Sequence, residues 1–196
     1  TRKLKVPFLK LKENPEETKK YIFHLIPSGM MHENKTCVIG NGVVIHVPTL
    51  LEELDVLEEN GISTTGRLFI SDRAHIVFDY HKEVDGIEED SRDKKVGTTK
   101  RGIGPAYMDK MKRSGIRMHH IVDEEKFEAK VMANFNFHKK VHGNLKHDIK
   151  DELQKFREYA KRIKPMLKDT SFFLNHALEN NQTILIEGAN GMLLDI

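Results

Sequence analysis

Short apolar runs of strand length alternate with longer helical segments along the 196 residues, and this alternation restricts the chain to few folds. The runs rich in β-branched residues are YIFHLI (21–26), TCVIG (36–40), VVIHV (43–47), RLFIS (67–71) and TILIEGA (183–189). Strands that alternate with helices predict an α/β fold with a mainly parallel sheet and flanking helices. In such sheets ligands bind at loops beyond the carboxyl ends of the strands.

Helical segments separate these runs. The first follows Pro48, where Thr49 and Glu52 form a capping-box pair and Asn60 with Gly61 supplies a stop. Further apolar stripes at helical spacing lie at 76–87, 149–166 and 171–179. The last of these leads into TILIEGA, whose uninterrupted apolar character predicts a strand covered on both faces.

One turn has two interpretations. Gly40, Asn41 and Gly42 lie between two β-rich runs, and Asn followed by Gly is a strong hairpin signal, so a hairpin is predicted. A glycine loop that faces a ligand is the alternative, with less support because no basic residue accompanies it.

Composition excludes several classes of protein. Lys and Arg total 32 against 30 Asp and Glu, a net charge of +2 that is typical of a globular domain rather than a polybasic tail. The basic stretch FHKKVHGNLKH lacks interleaved aromatics, so no nucleic-acid partner is expected. No apolar run approaches the roughly 18 to 20 residues of a membrane helix, and no signal-peptide core is recognisable. The lone Cys37 excludes a disulfide and predicts a buried, inert thiol, so a cytoplasmic protein is expected.

The most informative stretch is GTTKRGIGPAYMDKMKRSGIR, residues 97 to 117. Glycines, threonines and basic residues precede a helix that Pro105 is predicted to begin, and backbone amides at a helix N-terminus attract phosphate or carboxylate. The stretch matches neither a Walker A loop nor a dinucleotide fingerprint. A solvated surface loop followed by a charged helix is the alternative to an anion site.

Arg113 lies at the far end of this helix, which is predicted to be about 8 residues, or roughly 12 Å, long. One subunit can hardly use both helix ends on one phosphate. Arg113 therefore either binds something separate or reaches a loop of a neighbouring chain.

Other candidate sites carry less signal. EGANG (187–191) is a glycine turn after an apolar run, suited to a ligand through the Asn190 amide, although the local sequence favours a plain turn. His138 and His142 are four residues apart, but no carboxylate nearby in the sequence completes a metal site, so solvated histidines and no metal ligands are predicted. His46, His75 and His81 adjoin apolar stripes and are expected to be hydrogen-bonded structural residues. No nucleophile elbow or catalytic triad is present.

The 97–117 stretch resembles the signature of adenylosuccinate synthetases. The similarity extends through FHLIPSG (23–29), IGNGVV (39–44), SDRAHIVFDYH (71–81) and LIEGANGMLLDI (185–196), in the family's order. It covers roughly residues 21–196 and implies one partial domain of a P-loop-like, GTP-dependent synthetase architecture, preceded by a divergent segment, 1–20.

The resemblance implies an activity. The family ligates L-aspartate to IMP with GTP and Mg²⁺, giving adenylosuccinate, GDP and phosphate in purine nucleotide biosynthesis. An aspartate side chain removes the N1 proton of IMP, O6 attacks the γ-phosphate, a histidine assists as acid, and the aspartate amine displaces phosphate from the 6-phosphoryl intermediate. Such catalysis depends on positioning and charge neutralisation.

The resemblance also assigns residues. Thr99 matches the threonine that contacts the IMP phosphate, and Asn190 is similar in position to an amide that contacts IMP. Arg113 resembles the arginine that enters the partner subunit's IMP site in a homodimer, which would explain the two helix ends. Arg101 resembles, less closely, a basic residue near the aspartate site.

Two family motifs have no counterpart in the 196 residues: the GDEGKGK loop with the catalytic Asp and the GHT segment with the catalytic His. We therefore expect a central fragment without catalytic residues of its own, silent in turnover when alone. The alternatives are an inactive IMP-binding or dimerisation module, and a generic anion-binding domain without preference for IMP.

Overall fold

The computed structural model describes residues 9–10, 18–19, 21–94, 97–143 and 145–188. Seven strands lie within these residues: β1 (Leu9–Lys10), β2 (Thr18–Lys19), β3 (Cys37–Ile39), β4 (Val44–His46), β5 (Leu68–Ser71), β6 (His75–Val77) and β7 (Leu167–Lys168). The α-helices are α1 (Val47–Glu59), α2 (Asp79–Asp90), α3 (Ile103–Lys112), α4 (Glu124–His142), α5 (Ile149–Ile163) and α6 (Thr170–Glu179). Short 3-10 turns cover Ser28–Met31, Met118–Val122 and Lys164–Met166.

The strands form three small sheets. β3, β5 and β7 are parallel, with β5 in the centre, and β4 pairs in parallel with β6, while β1 and β2 form an antiparallel pair. Parallel neighbours need a crossover, and α1 supplies it between β3 and β5, where Cys37 lies opposite Leu68. The predicted α/β fold with parallel strands and flanking helices is confirmed.

The helices pack an apolar core around the two parallel sheets. In α1 the residues Leu50, Leu54 and Leu57 recur at helical spacing and are fully buried. The centre of the core is aromatic, since the rings of Phe78 and Phe156 lie 5.2 Å apart between centroids. Full burial of each such side chain contributes about 1.5 to 3 kcal/mol relative to an exposed position. Cys37 is buried as expected, and burial raises the pKa of its thiol.

The start of α1 differs from the predicted capping box. The helix begins at Val47, and His46 is the N-cap, whose Nδ1 accepts a hydrogen bond from the Thr49 amide at 3.3 Å. Its Nε2 lies 3.2 Å from Asp79 Oδ1 at the start of α2. This hydrogen bond is the main reason that the pKa of Asp79 lies below its usual range. His46 is therefore a hydrogen-bonded structural residue, as expected.

The predicted hairpin at Gly40 to Gly42 is wrong. A turn is present at Asn41 and Gly42, but β3 and β4 do not pair with each other. Each pairs in parallel with a different later strand, so long-range pairing overrides the local turn signal.

Two predicted strands are also wrong. Residues 21–26 form no strand, and residues 183–188, the described part of TILIEGA, are not paired. Leu185 is 93% exposed and Ile186 is 88% exposed, so this segment is not a strand covered on both faces. Its apolar sequence has no sheet neighbour within the described residues.

Candidate functional site

The 97–102 loop leads directly into α3. Gly102 is the N-cap, with φ 73°, and a Cβ there would lie 2.7 Å from the carbonyl carbon of His81 in α2. Only glycine fits both the left-handed backbone and this close approach. The helix consequently begins at Ile103, two residues before the predicted start at Pro105, which occupies a first-turn position where no amide partner is needed.

Two acidic side chains of α2 hold the loop. Glu89, which is buried, accepts a hydrogen bond from the Gly97 amide at 2.6 Å. Asp85 accepts from the Thr98 hydroxyl at 2.8 Å and from the Gly102 amide at 3.0 Å. The loop thus lies against α2 at both of its ends.

Thr99 is not held by either of these side chains. It is exposed, and its hydroxyl makes no hydrogen bond with any described residue. The neighbouring amides of the first turn of α3 add partial positive charge. This end of the helix therefore offers a hydroxyl donor beside a site that favours an anion.

Arg101 is oriented by a chain of two hydrogen bonds. Its guanidinium donates to His24 Nε2 at 3.3 Å, and His24 Nδ1 lies 3.2 Å from Glu53 Oε1. Because Nε2 accepts, Nδ1 carries the proton that is donated to Glu53. Glu53 also accepts three backbone amides, from residues 24 to 26. Arg101 thus shares the loop with Thr99, and its side chain is held by His24 of the FHLIPSG segment.

Arg113 lies at the other end of α3. The helix has 10 residues, not about 8, so the two ends are about 15 Å apart. Arg113 is the C-cap with φ 62°, and its exposed guanidinium makes no hydrogen bond or ion pair with the described residues. The structure therefore does not bring Arg113 together with Thr99 within one chain.

Asn190 lies outside the described residues. The adjoining described segment ends close to FHLIPSG, since Glu187 Oε2 accepts hydrogen bonds from the Ser28 amide at 3.0 Å and the Ser28 hydroxyl at 2.9 Å.

A buried polar cluster joins three helices. Asp109 Oδ2 lies 3.1 Å from His81 Nε2 and 2.9 Å from His138 Nε2, and all three residues are at most 2% exposed. The prediction that His138 is a solvated histidine is therefore wrong, because α4 turns it inward. Its carboxylate partner comes from α3, 29 residues away, and was not recognised in the sequence.

The proton positions in this cluster follow from a further contact. His81 Nδ1 accepts the Phe78 amide at 3.0 Å, so Nε2 carries the proton and donates to Asp109. Burial lowers the pKa of His81 and by itself would raise that of Asp109. The hydrogen bonds from His138 and His81 outweigh this effect and hold the pKa of Asp109 below its usual range. An ionised Asp109 thus accepts from two imidazoles.

This cluster does not suit a metal ion. It is the one group of three candidate ligands within 4.8 Å among the described residues. A metal would need the Nε2 lone pair of His81, whereas a metal-bound histidine normally donates from its other nitrogen, and here Nδ1 accepts. Mg²⁺ also prefers oxygen ligands and open coordination positions, which two buried imidazoles do not provide. This cluster is therefore not assigned to the Mg²⁺ that the family resemblance implies.

His75 departs from the expected hydrogen-bonded role. It is 5% exposed, and its Nδ1 has no hydrogen-bond partner among the described residues. Burial, followed by the charge of Arg117, lowers the pKa of His75 to about 4.

Several of these contacts were not foreseen from the sequence. Asp85, Glu53 and His24 lie in segments with no recognisable local motif for loop anchoring, and only the fold brings them to the 97–102 loop. No helix in the described part of the chain combines the length and apolar character needed to span a membrane.

Comparison with known proteins places this arrangement in a family. The family model described as adenylosuccinate synthetase matches residues 14–196. A chloroplastic adenylosuccinate synthetase of Ostreococcus tauri is 46% identical over 91% of this chain and 37% of its own length. That of Phaeodactylum tricornutum is 48% identical over 91% of this chain and 34% of its own length.

A solved structure agrees. The fully ligated adenylosuccinate synthetase from Plasmodium falciparum superposes with a TM-score of 0.83 at 38% identity, covering 90% of this chain and 42% of that one. The chain thus spans well under half of the length of these relatives. Because the family match covers most of its residues, the chain belongs to the adenylosuccinate synthetase family.

Proposed function

We propose that the chain is a partial adenylosuccinate synthetase domain, residues 21–196, that contributes IMP-binding and dimer-contact residues to a GTP-dependent ligation. The reaction joins L-aspartate to IMP and releases adenylosuccinate, GDP and phosphate through 6-phosphoryl-IMP. Mg²⁺ enters with GTP and is assigned to no residue of this chain. Family membership supports the reaction class, and the site geometry supports the binding roles.

The Thr99 hydroxyl carries this proposal, because it is exposed in the loop that leads into α3 and has no hydrogen-bond partner among the described residues. In this role Thr99 donates a hydrogen bond to the IMP phosphate. Arg101, held by His24, presents its guanidinium on the same loop, where it is suited to a carboxylate of aspartate. Asn190 is proposed to contact IMP through its side-chain amide.

Arg113 is proposed to serve the partner's site in a homodimer. Its exposed guanidinium belongs to the C-cap of α3, and Thr99 precedes the other end of this helix, which is about 15 Å long, so the two are not expected to reach one phosphate. A second copy of the chain would supply the missing arginine to each site.

The test is calorimetric titration of the chain with IMP and with inosine, which lacks the phosphate. Thr99→Val should weaken IMP binding at least about 10-fold, the effect of one lost hydrogen bond to a charged group. Inosine binding should change little. Thr65→Val, an exposed threonine of a different loop, is the matched control. Equal IMP affinity of Thr99→Val and wild type would refute the proposal.

The alternatives separate in the same assays. A chain that binds IMP and dimerises but gives no adenylosuccinate with IMP, aspartate and Mg²⁺–GTP is a binding or dimerisation module when alone. Turnover that Arg113→Ala lacks would instead mean that these 196 residues carry the chemistry. Equal affinity for IMP and unrelated nucleotides would favour a generic anion site.

Cytoplasmic location remains part of the proposal. Imaging of the tagged protein tests it, and accumulation in an organelle would contradict it.

A further inference from the structure

One carboxylate closes the 97–102 loop. The Thr98 hydroxyl lies 2.8 Å from Asp85 Oδ1 and 2.9 Å from Oδ2, and the Gly102 amide donates to Oδ2 at 3.0 Å. The half-buried Asp85 therefore ties the second residue of the loop to its last residue.

The rest of the loop is shaped by the same contact. The Lys100 amide donates to the Thr98 hydroxyl oxygen at 3.1 Å, and Lys100 has a left-handed backbone with φ 54°. Such a conformation costs a non-glycine residue about 1 kcal/mol and persists only where its surroundings hold it. Because the Thr98 hydroxyl is turned inward to Asp85, the adjacent Thr99 is the threonine that faces solvent.

The sign of the charge makes this arrangement informative. A carboxylate beside a loop that binds an anion opposes binding by simple Coulomb repulsion. A benefit must therefore offset the repulsion between the Asp85 carboxylate and an anion. The hydrogen bonds that Asp85 accepts from Thr98 and Gly102 supply this benefit by holding the loop.

We propose that Asp85 is a positioning residue for the phosphate site: it holds the loop in the shape that presents Thr99 without touching the ligand itself. This inference rests on the proposed function of Thr99. It predicts that removal of the Asp85 charge weakens phosphate binding, whereas electrostatics alone predicts that it strengthens binding.

Asp85→Asn provides the first test. Asparagine keeps the shape, but its one acceptor oxygen must accept both the Thr98 hydroxyl and the Gly102 amide without a negative charge, so both hydrogen bonds weaken. IMP binding should weaken at least about 10-fold, while inosine binding changes little. Glu88→Gln removes the same charge from the same helix at a residue whose side chain pairs with His142 and makes no hydrogen bond or ion pair with residues 97–102, and it should bind IMP as tightly as wild type or slightly more tightly. Asp85→Asn binding as tightly as Glu88→Gln would overturn the proposal.

A double-mutant cycle separates positioning from a general loss of stability. Thr98→Val removes the donor from the loop side and provides a second variant if Asp85→Asn folds poorly. If Asp85→Asn and Thr98→Val act through the same contact, combining them should add little. The double variant should bind IMP at most about twofold more weakly than whichever single variant binds it less tightly. Multiplied losses would show that Asp85 does not act through Thr98.

Hydrogen exchange of the free chain distinguishes this inference from the proposed function. Asp85→Asn should speed exchange of the Lys100 and Gly102 amides at least about 10-fold, and Glu88→Gln should not. If exchange becomes faster in Asp85→Asn but wild type does not bind IMP, Asp85 does hold the loop, but the proposed function is wrong. The positioning role is then wrong as well, because there is no phosphate site to position. Unchanged exchange overturns the inference whatever the IMP affinity.

Discussion

Replacement of Asp109 should reveal how much the buried cluster stabilises the chain. Asp109 accepts from His81 and His138 at 3.1 and 2.9 Å, with all three side chains excluded from water. In Asp109→Asn these two hydrogen bonds lose their charge assistance, and each falls from about 2 to about 1 kcal/mol. The free energy of unfolding should therefore decrease by about 2 kcal/mol.

Asp109→Leu should destabilise the chain more than Asp109→Asn. It leaves two buried imidazole N–H groups without an acceptor, at about 1 to 3 kcal/mol each, so a loss of about 4 kcal/mol is expected. Urea unfolding followed by circular dichroism measures both values, provided that the dependence on urea, the m value, is unchanged. Asp151→Asn is the control, because Asp151 forms an exposed ion pair with Lys155, and solvent screens such a pair so that its loss changes stability little.

A free energy of unfolding for Asp109→Leu within about 1 kcal/mol of wild type would refute this prediction, because two buried donors that lose their acceptor should cost more than that. A zinc-dependent rise in the unfolding midpoint of wild type that Asp109→Asn lacks would instead identify a metal site and contradict the assigned proton positions.

Two further predictions concern the backbone and pH. Gly102→Ala should destabilise the chain by at least about 2 kcal/mol in urea unfolding, because its Cβ would lie 2.7 Å from the α2 backbone. Gly104→Ala is the control: it lies in α3 with open space around it and should stabilise the chain by up to about 1 kcal/mol. Equal effects of the two substitutions would contradict this prediction. Stability should fall as pH drops from about 6.5 to 4, because His75 protonates in the unfolded chain near 6.5 but in the folded chain only at about 4. Thermal unfolding across this range should show a weaker pH dependence for His75→Leu, and an unchanged slope would exclude His75 as a source.

The strands β3, β4 and β5 and five of the six α-helices were predictable because their signals are local, whereas α4, β6 and β7 were not predicted. The apolar stripe of 149–166 corresponds to α5, and Asp148 caps it by accepting the Lys150 and Asp151 amides. Strand identity required more than local sequence. Asn41 and Gly42 do form a turn, yet the strands on either side join different sheets.

The candidate site was predictable only in part, for a related reason. Glycines, threonines and the start of α3 are contiguous in sequence, so the anion-binding character of the loop could be recognised. Asp85 and Glu53 act on it from other helices, and their effect depends on contacts that no spacing rule encodes. Asp109 was missed likewise, since its two histidines come from different helices, 28 and 29 residues away.

The pairing of β5 with β7 has a consequence for synthesis of the chain. Ile70 lies opposite Leu167, so 97 residues (167 − 70) must be translated before that edge of β5 finds its neighbour. Because translation adds about 5 to 20 residues per second, this edge of β5 stays unpaired for roughly 5 to 20 s during synthesis. An apolar strand with free backbone groups attracts other chains during that time. The sheet at the centre of this protein is therefore expected to need chaperone protection until α5 and β7 have emerged.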